Sequence, residues 1–220
     1  MRVHDLLRIT DPSRNLTACE GPEATGGPLP DWAGRALRRT PWVVVRRAAP
    51  APDGRVAVGV RGATRAERLA AWVDPAAVEQ RLAPEDLPSR VDRLGAHRST
   101  ALPALRALPA AAALLAPFGL PWGPGGSVGF ELASGAPTTT PGSDLDLVLR
   151  AEHPLAPGTA RRLVRLLHGL PVRADALLET GHGAVALGEY ARGEGPVLLR
   201  TPAGPVLTRC PWNPSLPSPA

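Results

Sequence analysis

The sequence predicts a mixed α/β (α+β) fold in two parts, and three observations carry that expectation. Short runs alternate apolar and other residues, as in Val56, Val58 and Val60, which is the period of a half-buried strand. Alanine- and leucine-rich stretches such as Leu102 to Leu115 have helical character. A proline-bounded segment, Pro84 to Pro88, reads as a linker. The 220 residues suffice for one large domain or two small ones. The expected division is a smaller N-terminal α/β domain with a β-hairpin over 1–88, a larger domain over 89–210, and a proline-rich, disordered tail over 211–220.

In the first part, His4 to Ile9 forms a short ordered element and Glu20 to Pro30 a Gly/Pro loop. Trp42 to Arg47 is β-branched, and Arg55 to Arg61 alternates. The Asp-Gly step in the Pro50 to Gly54 turn between them makes a hairpin. Thr64 to Val73 reads as a helix, with Thr64 as N-cap and Glu67 three residues on. Asp74-Pro75 starts another helix toward Leu82.

In the second part, Leu102 to Leu115 is helical with a kink or a break at Pro109, and Pro117 to Gly126 is loop. Val128, Phe130 and Leu132 alternate, so Ser127 to Ala133 reads as a strand, with Glu131 on its opposite, solvent-facing side. A Thr/Pro loop over Gly135 to Gly142 leads to a strand at Leu145 to Leu149. A helix at Gly158 to His168 is closed by Gly169. Pro171 to Glu179 is a third strand, Gly183 to Ala191 a short helix, and Val197 to Thr208 a hairpin.

Composition excludes several classes. Apolar residues at 44 % place the chain among ordinary globular proteins rather than disordered ones. The net charge of +5 comes from arginine alone, since the sequence has no lysine. No five-residue basic block occurs, so nucleic acid is not an expected partner. Cys19 and Cys210 have no metal-ligand spacing. No apolar run reaches the roughly 18 to 20 residues of a membrane helix, and the charged opening residues lack a leader's apolar core. The expected setting is cytoplasmic, away from membranes. Dinucleotide fingerprints and hydrolase elbows are also missing.

Chemistry centres on Gly142-Ser143-Asp144-Leu145-Asp146-Leu147. On a strand, Asp144 and Asp146 project from one face, which Val148 and Arg150 continue. Two carboxylates that close repel unless a cation lies between them, and oxygen-only ligands favour Mg²⁺ or Mn²⁺. An Asp-x-Asp at a strand start also serves as a plain turn or cap. Upstream, Gly125-Gly126-Ser127 would let backbone N–H groups approach a phosphate, or would be a simple turn. Downstream, Asp175 lies in an apolar strand, where an ionised carboxylate needs a partner. That partner is either a shared metal or an arginine, Arg173 or Arg150. Arg61 and Arg65 are candidate phosphate contacts or solvated charges, and Arg35, Arg38 and Arg39 read as a solvated face. His4 and Asp5 read as capping or packing residues.

Gly-Ser, then Asp-x-Asp, then a third strand Asp resembles the nucleotidyltransferase superfamily, although a strand after Ser127 would depart from the helix that superfamily has there. The resemblance narrows on further motifs: His-Asp-Leu-Leu from 4, Pro-Trp-Val-Val-Val-Arg-Arg from 41 and Val-Gly-Val-Arg-Gly from 58. It continues through Gly-Ser-Val-Gly-Phe-Glu-Leu from 126, Ser-Asp-Leu-Asp-Leu from 143 and Leu-Leu-Arg-Thr-Pro from 198. In that order these are similar to the malonate decarboxylase holo-acyl-carrier-protein synthases, which are phosphoribosyl-dephospho-CoA transferases. The resemblance implies a nucleotidyltransferase-like mixed sheet over 89–210. It implies transfer of the 2′-(5″-triphosphoribosyl)-3′-dephospho-CoA group to a serine of the apo acyl carrier protein subunit, with release of pyrophosphate. Asp144, Asp146 and Asp175 would be the catalytic, metal-binding carboxylates for Mg²⁺ (or Mn²⁺). Gly126, Ser127, Ser143, Arg61 and Arg65 would bind substrate phosphates. Another acceptor (the citrate lyase carrier protein, a small molecule or a tRNA) and a non-catalytic binding protein on the same fold remain as alternatives.

Overall fold

In the computed structural model, residues 1–20, 25–51, 53–64 and 66–214 are described. The chain divides into two compact units, Met1–Ala83 and Pro84–Ala220.

The N-terminal unit is built on seven strands: β1 (Leu6–Ile9), β2 (Leu16–Glu20), β3 (Thr25–Gly27), β4 (Trp42–Val45), β5 (Val56–Arg61), β6 (Arg68–Val73) and β7 (Val78–Leu82). Their order is β3-β2-β6-β5-β4-β1-β7, and every pairing is antiparallel. Two helices accompany them, α1 (Pro12–Asn15) and α2 (Asp31–Arg39). α2 buries Ala33 and Leu37 in a core with Leu7, Val43, Val58, Ala71 and Val73. The hairpin read from the sequence is present, with Val45 opposite Val58.

Two helices read from this part are strands instead. Glu67 does accept a hydrogen bond from the Thr64 N–H at 3.0 Å, so the local capping contact forms. The chain beyond it pairs on both sides, with β5 and β2, and two ladders of backbone hydrogen bonds outweigh one cap. Asp74 caps a single 3₁₀ turn at Pro75–Ala77 through the Ala76 N–H, after which β7 pairs with β1. Within the Glu20 to Pro30 stretch expected as loop, Thr25–Gly27 pairs with β2. Asp5 is fully buried, accepts from the Arg2 N–H and pairs with Arg81, which matches its reading as a capping and packing residue.

The C-terminal unit starts with 3₁₀ turns at Pro84–Asp86 and Pro88–Leu94, followed by α3 (Ala96–Ala101), α4 (Pro103–Arg106) and α5 (Leu108–Leu115). The Pro84 to Pro88 stretch is therefore no free linker: Leu87 is wholly buried, and the Pro84 carbonyl packs where a side chain on Gly123 would lie. Pro109 falls in the first turn of α5, where its missing N–H costs nothing. Next come β8 (Trp122–Pro124), α6 (Gly126–Ser134), β9 (Leu145–Arg150), α7 (Pro157–His168) and β10 (Ala174–Glu179). The series ends with β11 (Ala184–Ala186), α8 (Leu187–Arg192), β12 (Val197–Thr201) and β13 (Gly204–Thr208). The sheet order is β13-β12-β11-β10-β9-β8. β9 and β10 are parallel, joined through α7, and the other neighbours are antiparallel.

Three further expectations change here. Ser127 to Ala133 is part of helix α6, not a strand, and Trp122–Pro124, expected as loop, pairs with β9. The proposed tail is ordered as far as Pro214: Trp212 donates to the Ala151 carbonyl at 2.7 Å and packs edge-on against Tyr190. A single aromatic anchor outweighs the local preference of a proline-rich segment for disorder. Residues 215–220 lie outside the described residues. The mixed helices and sheets give the α/β class expected.

Candidate active site

The parallel pairing of β9 and β10 sets the site. Asp146 and Asp175 are direct partners in the ladder, so both side chains leave the same face of the sheet. Asp144 lies just ahead of β9, and the Leu145 N–H bonds to the Arg173 carbonyl at 2.9 Å, which ties the two strand entries together. All three carboxylates meet solvent: Asp146 and Asp175 are exposed and Asp144 is partly so. The burial argument for Asp175 therefore fails, while its placement beside Asp146 stands. Its arginine partner is Arg173, whose Nη2 lies 3.0 Å from Asp175 Oδ2 while Nη1 lies 4.0 Å from Asp144 Oδ2. Arg150 turns to Glu85 instead, at 2.9 Å, at the buried far end of the same face.

Gly126 explains itself against Asp146. It opens α6 with φ +54°, and a Cβ there would lie 1.8 Å from Asp146 Oδ2. Any side chain there would meet both the positive φ and the Asp146 carboxylate. The adjoining Gly125 N–H donates to the Asp146 carbonyl at 2.8 Å, so strand β9 and the start of α6 are locked together. Ser127 follows in the first turn of α6, half-buried. The helix that the nucleotidyltransferase pattern has after its Gly-Ser step is thus present.

The segment between α6 and β9 is held by a buried carboxylate that the strand reading placed in solvent. Glu131 is fully buried. Its Oε2 accepts from the Thr138 and Thr139 N–H groups at 3.0 and 2.7 Å and from Arg98 Nη2 at 3.1 Å. Arg98 Nε donates to the other oxygen, and Arg98 also reaches the Thr139 carbonyl at 3.0 Å. Burial alone would push the Glu131 carboxyl up, but the Arg98 and Thr139 hydrogen bonds outweigh it and hold it below its ordinary value. Thr138 Oγ1 donates to the Ser127 carbonyl at 2.9 Å. Ser143 Oγ accepts from the Thr140 N–H at 3.0 Å and closes the turn that delivers Asp144. The signal for Glu131 was a lone acid inside Gly-Ser-Val-Gly-Phe-Glu-Leu-Ala-Ser, legible only once that run is read as a helix.

Asp144, Asp146, Asp175, Gly126, Ser127 and Ser143 thus all belong to one end of the C-terminal unit. Arg61 belongs to the N-terminal unit, half-buried on β5, and Arg65 lies outside the described residues. Among the described residues, no three His, Cys, Asp or Glu side chains stand together at metal-binding distance. As placed, the charge facing Asp144 and Asp175 is the Arg173 guanidinium. No helix among the described residues is long and apolar enough to cross a membrane.

Comparison with known families covers nearly the whole chain. Residues 89–211 match the family described as phosphoribosyl-dephospho-CoA transferase MdcG C-terminal domain, and residues 2–84 match its N-terminal domain. The chain belongs to the phosphoribosyl-dephospho-CoA transferase family. It is accordingly a transferase. A relative of that name from Pseudomonas aeruginosa is 44 % identical over 183 residues, covering 83 % of this chain and 85 % of the relative. One from Azotobacter vinelandii is 43 % identical over 187 residues, covering 83 % and 85 %. One from Pseudomonas fluorescens is 42 % identical over 193 residues, covering 88 % and 89 %. No solved structure matches the chain.

Proposed function

We propose that this transferase attaches the 2′-(5″-triphosphoribosyl)-3′-dephospho-CoA group to a serine of the apo acyl carrier protein subunit of malonate decarboxylase, in the cytoplasm. The observation that carries the reading is the pairing of Asp146 with Asp175 across parallel strands, beside a glycine whose missing Cβ leaves room at the Asp146 carboxylate. The relatives' shared name supports the donor.

In this reaction the serine Oγ bonds to the α-phosphorus of the donor as the bond to the leaving pyrophosphate breaks. Such a centre needs alignment and charge neutralisation more than covalent help. Asp144 and Asp146 would hold Mg²⁺ or Mn²⁺. The donor set fits: it is oxygen-only and solvent-reached, and glycine at 126 lets the Asp146 carboxylate pack against the start of α6. When bound, such an ion supplies positive charge to the triphosphate. Asp175, opposite Asp146, would orient the incoming hydroxyl and accept its proton. The N–H groups at the start of α6, at Gly126 and Ser127, would meet a phosphate oxygen. Ser143 would keep the Asp144 turn closed, and Arg61 and Arg65 would add positive charge toward the donor.

The test is mass spectrometry of apo carrier protein incubated with the enzyme, the triphosphoribosyl donor and Mg²⁺. The expected result is an added phosphoribosyl-dephospho-CoA group on one serine, with pyrophosphate formed in equal amount. An unmodified carrier protein, with active enzyme on another acceptor, would overturn the acceptor.

A further inference from the structure

We infer that Arg173 is the resident counter-charge of the carboxylate site, giving way to a divalent cation and then turning to the anionic donor. The inference rests on the metal reading proposed above. Its guanidinium stands between two of the three carboxylates, 3.0 Å from Asp175 Oδ2 and 4.0 Å from Asp144 Oδ2. Asp144 is also one of the two carboxylates read above as metal ligands, so a cation held there competes with Arg173 for it.

The backbone and side chain of Arg173 behave differently. Its carbonyl accepts the Leu145 N–H at 2.9 Å, so its Cα is fixed beside Asp144 at the entry to both strands. Its side chain is 72 % exposed and reaches the carboxylates through solvent. Arg150, by contrast, is only 9 % exposed and locked to Glu85. An exposed guanidinium holds a carboxylate weakly, because water competes for both partners. A divalent ion carries twice the charge in a smaller volume and displaces it. The planar fork of arginine also suits phosphate oxygens, so the released group has a new partner only when the triphosphate is present. Metal alone must unseat Arg173 without that return, and binds weakly. Metal and donor together favour each other, as linkage requires of two ligands that share one switching group.

The test titrates Mn²⁺ into the full-length protein without donor and follows free Mn²⁺ by electron paramagnetic resonance. Arg173→Gln is expected to bind Mn²⁺ about five- to tenfold more tightly than the natural protein, and Arg173→Lys to fall between them. At saturating metal, Arg173→Gln is expected to raise the donor KM, with a smaller change in kcat. Equal or weaker Mn²⁺ binding by Arg173→Gln overturns the inference and leaves the metal reading standing. If neither protein binds Mn²⁺ at millimolar concentration, the metal reading falls and the inference with it. Unchanged melting temperatures would show that these differences come from the site and not from the fold.

Discussion

Two arginine–carboxylate clusters in the C-terminal unit use the same chemistry in opposite settings. Glu131 is wholly buried, with Arg98 and two backbone N–H groups occupying its oxygens. Asp175 is exposed and Asp144 partly so, and the two share one exposed guanidinium. The first cluster has no room for a ligand and fixes the segment that leads into Asp144. The second, on the inference drawn above, is held loosely enough for a ligand to replace the protein's own charge. A charge that builds structure and one that, on the proposed reading, does chemistry are told apart here by desolvation and by the number of fixed donors, not by residue type.

The largest expected effect tests the open cluster. On the proposed reading, Asp144→Asn and Asp146→Asn each lower the transfer rate by about a thousandfold, roughly 4 kcal/mol of barrier. Their circular dichroism should match the natural protein, because neither side chain is buried. Wild-type rates in both folded variants would remove the open cluster from the chemistry. The next effect tests the closed one. Glu131→Ala leaves Arg98 and two loop N–H groups without their acceptor and should cost about 3 kcal/mol in urea unfolding. A loss below 1 kcal/mol would mean that the buried cluster is not structural, and the contrast would dissolve. Gly126→Ala comes third. The positive φ and the contact with Asp146 Oδ2 should together cost about 1–3 kcal/mol and lower activity, since the carboxylate must move to make room.

How far the sequence reveals this molecule depends on what each pattern averages over. Strands β4, β5, β9 and β10 were legible, because alternation follows directly from a sheet with distinct faces. The carboxylates of the open cluster were legible for the same reason: Asp146 and Asp175 interrupt apolar strands. Helix α6 was not. Its residues from Val128 to Ala133 are all buried, so burial on every side erases the 3.6-residue period and leaves an accidental alternation of Val128, Phe130 and Leu132. That one error carried Glu131 into solvent and hid the closed cluster. At Thr64 to Val73 the local capping signal was correct, but the strand pairing that overrode it came from residues distant in sequence. Trp212 likewise contacts positions far back in the chain, which no local reading of a proline-rich tail contains.

Acidification should separate the clusters further. The Glu131 carboxyl is held below its ordinary value of 4.5, since its hydrogen bonds outweigh the burial that would raise it. A depressed folded value means that the stabilisation is fully present above the unfolded value and is lost as pH falls through the folded one. Unfolding monitored against pH should therefore steepen below about 4.5. Glu131→Gln, which cannot titrate, should flatten that limb.

The smallest expected effect is the sharpest test of the contrast. Arg173→Gln removes the guanidinium that stands near both Asp144 and Asp175, yet it should shift the urea midpoint by less than about 1 kcal/mol in equivalent stability. Water already solvates all three groups, so each loses little when the contact breaks. Charge repulsion between the freed carboxylates is screened by salt, and any loss should shrink further between low and moderate ionic strength. A destabilisation as large as that of Glu131→Ala, and insensitive to salt, would make the open cluster a second structural anchor and leave no loosely held charge for a ligand to displace.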